Sequence, residues 1–187
     1  MEKQQLKKFK LLFTSVITIT IWSMLIWQFT HDGVPSHYLF QNPELPELSN
    51  WWGGIILPAL SWLALSRVEK TLLNLPSEQV VLHVRKVTVH FIVSLAYGAM
   101  LSFAFLYGYS SIASVMFPGI LFFAIFFQVF KAEFVLGFIL SMSITFGAVL
   151  SLMFGSIIAI AAFIVYSIVH FACRQVKKIT AKKQLSE

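Results

Sequence analysis

The chain has 187 residues, 58% of them hydrophobic and only 12% charged, with a mean hydropathy of +0.79. Soluble domains carry roughly a quarter charged residues, and a globule of this size leaves too many side chains wet to hide so much apolar surface in water. A net charge of +6 would raise nucleic acid as a partner of a soluble protein, but the basic residues here sit at the ends of apolar runs, which excludes nucleic acid and points to the lipid bilayer.

The first apolar run, 10–29, follows Lys3, Lys7, Lys8 and Lys10. It resembles a secretory leader in its charge pattern, yet it is too long for the apolar part of one and ends in Trp27-Gln28-Phe29 with no small-residue cleavage site, so it reads as a retained first helix. An outer loop, 30–50, comes next. It holds His31, Asp32 and His37 around two turn-forming pairs, Asp32-Gly33 and Pro35-Ser36, and continues through Pro43 and Pro46 to Trp51-Trp52. Two imidazoles and a carboxylate in seven residues form a candidate metal or acid–base group; the same residues also suit an interfacial turn closed by tryptophans.

The second run, 51–66, is short and expected to extend toward Leu75 as a longer, tilted helix. In the segment 68–86, Ser77 reads as an N-cap with Glu78 in the first turn, so the third helix is expected to start ahead of its apolar run, 87–107. On that helix His83, His90, Ser94 and Tyr97 fall within about 60° of one another at 100° per residue. The remaining runs are 111–130, 133–154 and 156–173, with a tight turn expected at Gly155-Ser156. The fifth carries Ser143, Gly147, Ser151 and Gly155 at intervals of four, with Gly137 and Ser141 on a second row. Such spacing lets helices approach closely, either within one bundle or as a homo-oligomer seam through 133–154. On the sixth, Tyr166, His170 and Cys173 share a face. The single cysteine allows no disulfide within the chain. The tail, 174–187, is basic and suits anionic lipid heads.

Apolar runs of about 20 residues suit membrane-crossing helices. Drawn as six spans with the amino terminus inside, the chain puts all 14 Lys and Arg on the inner side and leaves Asp32, Glu44 and Glu47 outside, as the positive-inside rule requires. The expectation is an all-α, single-domain polytopic protein of the cell membrane, a six-transmembrane-helix bundle with both termini cytoplasmic, in a bacterial inner membrane.

Function is less constrained. No span carries a carboxylate at its centre, which weakens a proton-relay pump, and no H-E-x-x-H, G-x-S-x-G or Walker-type motif occurs. Three readings remain. The first is a binding, transport or scaffold protein whose cavity is lined by Thr14, Thr18, Ser94, Tyr97, Ser143 and Tyr166. The second is a metal-dependent enzyme acting on a lipid or amphiphile through His31, Asp32 and His37. The third is a redox protein holding haem between His90 and His170. Pattern names no cofactor beyond that.

Overall fold

A computed structural model of the chain describes residues 3–31, 33–38, 44 and 46–184. Among them are six α-helices and one short ribbon: α1 (Lys3–His31), β1 (Ser36–Tyr38), β2 (Glu47–Ser49), α2 (Gly53–Leu73), α3 (Ser77–Leu106), α4 (Ser110–Phe126), α5 (Ala132–Phe146) and α6 (Ala148–Gln184). Within α1, α3 and α6 lie stretches long and apolar enough to cross a membrane. The chain is thus mostly helical and carries three helices of membrane-spanning length, which fits a membrane protein.

Side-chain contacts fix the helix directions. Lys10 of α1 meets Glu69 near the end of α2, while Trp22 reaches Gly54 at its start, so the two run antiparallel. Helices α3 and α5 run parallel: His90 faces Glu133, Ser94 lies against Gly137, and Gly98 against Ser141, all at one sequence offset. Helix α6 folds back along α5, bringing Gly155 against Ile139 and Tyr166 against Phe130. The short α5 is central, with Phe134, Phe138, Ile139 and Met142 buried among its neighbours.

Three local features explain this path. Pro58 lies inside α2 and has no N–H to give the carbonyl of Gly54 four residues earlier; the Trp22 indole donates to that carbonyl instead, at 3.2 Å. The connection between α1 and α2 closes as an antiparallel ribbon with Ser36 opposite Ser49 and His37 opposite Leu48. Gly147 ends α5 at φ +76° and ψ 162°, a backbone region that is essentially glycine's alone. The Asn50 side chain fills the space a Cβ on Gly147 would occupy.

Gly147 also corrects the expected division of the last two runs. The helices meet there, and 133–154 is split, whereas Gly155 lies inside α6. Apolarity is unbroken across the true turn, so hydropathy does not show it. At 15 residues α5 rises about 22 Å, less than the roughly 30 Å hydrocarbon layer. The row Ser143, Gly147, Ser151 and Gly155 therefore belongs to two helices. It is occupied within the chain: Ser143 and Ser151 are buried, Gly147 meets Asn50 and Gly155 meets Ile139.

Two other boundaries follow the sequence more closely. Helix α2 does run on to Leu73, and α3 does begin well ahead of its apolar run. Pro76 takes the N-cap position, however, and Ser77 is the first helical residue. Proline's fixed φ suits the extended conformation at that cap, φ −57° and ψ 146°.

Candidate functional site: a two-part cleft at the basic end

The starts of α1, α3 and α5 and the end of α2 lie together at one end of the bundle. Between them is a cleft of about 660 Å³, within the roughly 300–1,000 Å³ usual for ligand sites. Phe9 and Phe13 line it from α1, Leu65 and Leu72 from α2, Val87 and Ile92 from α3, and Leu136 from α5. Phe13 and Phe91 meet edge to face at 5.8 Å, bridging α1 and α3.

The walls are apolar because of where the small residues fall. On α3 and α5, Ser94, Gly98, Gly137 and Ser141 let the backbones close: a Cβ on Gly137 would lie 2.6 Å from the carbonyl oxygen of Phe91. Toward α1, α3 presents Val84, Val87, Phe91 and Ile92 to the cleft, residues too bulky for backbone contact of that kind.

Two charged pairs border this apolar space. Lys10 Nζ donates to Glu69 Oε2 at 2.5 Å, reaches Ser66 Oγ at 3.4 Å and sits 4.3 Å from the centre of the Trp62 ring. Lys10 and Glu69 are both largely buried, so the pair clamps α1 to α2 and neutralises that wall. Opposite, Glu133 Oε1 faces His90 Nδ1 at 3.6 Å. Glu133 is buried in the first turn of α5, where the helix dipole favours a carboxylate.

A second pocket, of about 260 Å³, adjoins the first and shares Val68 and Glu133 with it. Its lining adds polar and basic groups to apolar Val68, Phe130 and Ala132: Arg67 and Thr71 from α2, His83 from α3, and Lys131 just ahead of α5. An apolar chamber thus opens beside a basic one, an arrangement matched to an amphiphile.

The residues singled out in the sequence are placed elsewhere, or at this cleft with other partners. His31 ends α1; its Nδ1 lies 2.9 Å from the Trp27 carbonyl oxygen and its ring stacks on the Trp27 indole at 4.8 Å. Asp32 and the His37 side chain lie outside the described residues, and the described residues contain no cluster of three metal-ligating side chains. His90 is turned to Glu133, while His170 stacks on Tyr166 of its own helix at 3.7 Å, with Nδ1 3.0 Å from the Tyr166 carbonyl oxygen.

Hydroxyls proposed as pocket lining are engaged in packing. Ser94 donates to Phe91 O, Tyr97 to Met116 O at 2.5 Å, Thr18 to Thr14 O and Ser143 to Leu140 O, while Tyr166 accepts from Gln128. None of these lines the cleft. The polar stripe of α3 faces into the bundle, with His83 at the basic pocket, His90 and Ser94 against α5, and Tyr97 against α4.

Residues that the sequence pattern does not single out as a site are Glu133, Glu69 and Lys10, which lie at or near the ends of apolar runs. The available signal was the match of Ser94 and Gly98 to Gly137 and Ser141, which carries His90 to Glu133 at the same offset. Compared with known proteins, the chain matches no family model, no curated protein and no solved structure, so its own geometry carries the functional reading.

Proposed function

We propose that the chain is a multi-pass protein of a bacterial inner membrane, six spans with both termini cytoplasmic, that binds or passes a small amphiphilic molecule without bond chemistry of its own. The observation that carries the binding role is the apolar cleft joined to a basic chamber at Val68 and Glu133. Support for the orientation comes from charge. The helices alternate in direction, and among the described side chains Lys10, Arg67, Lys86, Lys131 and Arg174 lie toward the end that holds the cleft, the distribution expected of a cytoplasmic face.

The test combines topology with binding. In a Cys173→Ser background, a cysteine at Glu44 reacts with an impermeant maleimide on intact cells, whereas one at Lys86 reacts only after permeabilisation; the reverse pattern refutes the orientation. Thr88→Trp places an indole in the cleft from an exposed position of α3. It is expected to remove at least nine-tenths of the lipid that copurifies with the full-length protein, measured by native mass spectrometry. Unchanged lipid in that variant refutes the cleft as a binding site.

A further inference from the structure

We infer that the ligand is a phospholipid with an anionic head drawn from the inner leaflet, its acyl chain in the apolar cleft and its head held by Arg67, His83 and Lys131. This rests on the binding role proposed above and specifies the ligand.

Charge accounting selects an anion. In the larger chamber the Lys10 ammonium is matched by Glu69 at 2.5 Å, so that wall carries no net charge. The smaller chamber is lined by two cations, Arg67 and Lys131, and one carboxylate, Glu133, which itself faces His90. The smaller chamber therefore keeps an excess of positive charge, with His83 as a further hydrogen-bond donor. A guanidinium, an ammonium and an imidazole from three different segments suit a phosphate oxygen cluster.

Position selects a lipid over a free anion. The basic chamber opens beside a cleft about two and a half times its volume, lined almost wholly by aliphatic and aromatic side chains. A free phosphate would leave that cleft unused. Basic pockets between helices on the cytoplasmic side of a membrane are suited to anionic lipid heads. Both chambers lie at the end of the bundle that holds Lys10, Arg67 and Lys131, so with that end cytoplasmic, as proposed above, the lipid that reaches them is one of the inner leaflet.

The probes are phosphatidylglycerol, phosphatidylcholine and inorganic phosphate, each added to delipidated full-length protein in neutral detergent, with binding read by native mass spectrometry. Phosphatidylglycerol is expected to bind at least tenfold more tightly than phosphatidylcholine. Arg67→Gln with Lys131→Gln is expected to remove that preference while leaving phosphatidylcholine binding unchanged. Raising the salt is expected to weaken phosphatidylglycerol binding to wild-type protein, a readout that requires no variant.

Equal binding of the two lipids by wild-type protein overturns the inference but leaves the cleft as a binding site. A preference that survives the double substitution also overturns it and assigns the selectivity to the basic tail. Displacement of the lipid by an equal concentration of inorganic phosphate overturns it as well, since the cleft would then contribute nothing. Failure of both lipids to bind refutes the binding role itself.

Discussion

Helix α3 makes two unlike contacts along its length. Toward α5, Ser94 and Gly98 interlock with Gly137 and Ser141, and the backbones nearly touch. Toward α1, Phe91 meets Phe13 edge to face, with the cleft alongside. The first contact is built from the smallest residues and the second from bulky apolar ones. Lipid tails are as apolar as leucine, so burying leucine against leucine gains little in a bilayer, and close packing decides which helices associate. Small residues define the seam, while large ones leave room for a chain-like ligand.

Four experiments test that contrast and the contacts around it. The largest effect is expected from Gly137→Leu, which drives a side chain into the Phe91 carbonyl and Ser94. It should cost about 3 kcal/mol or more, at the upper end of overpacking penalties, read from the denaturant midpoint in detergent. A loss below 1 kcal/mol would mean that the seam does not hold the bundle together.

Gly147→Ala comes next, at about 2–3 kcal/mol for a residue forced into glycine-only backbone space. Part of that cost should be relieved by Asn50→Gly, which empties the space the new Cβ needs. Strict additivity of the two changes would argue against the contact.

Lys10→Met, which leaves the buried Glu69 carboxylate without its ammonium, should destabilise by about 1.5–3 kcal/mol. Adding Glu69→Met should restore much of the loss, because replacing both partners removes the uncompensated charge. A double-mutant cycle with no coupling would show that the clamp contributes nothing.

The smallest effect is expected for Ile92→Ala. Ile92 lines the cleft yet is 56% exposed, so truncation should cost less than about 1 kcal/mol while weakening lipid retention. A loss as large as that of Gly137→Leu would erase the distinction between seam and cleft.

The helical nature of the chain and the end at which its cations gather were legible from composition and spacing. So was the onset of α3 ahead of its apolar run. The turn at Gly147 was not, since it lies within an apolar stretch and rests on a backbone angle and on Asn50, a residue almost a hundred positions away. Nor was the site. Histidines drew attention as metal, acid–base and haem candidates, yet His31 and His170 each engage a carbonyl and an aromatic ring of their own helix. Glu133 and Glu69 looked peripheral by position and gain their role only from the helices packed around them.

What the sequence determined by itself was the solvent: too few charges and too many long apolar runs for water. Only the tertiary structure decided which polar residues would be consumed by packing and which would border a cavity. The physical reason is that hydropathy is a sum over single residues. A cleft and its charge exist only between helices, where side-chain size sets the distance between backbones and pairing decides which charges are left over.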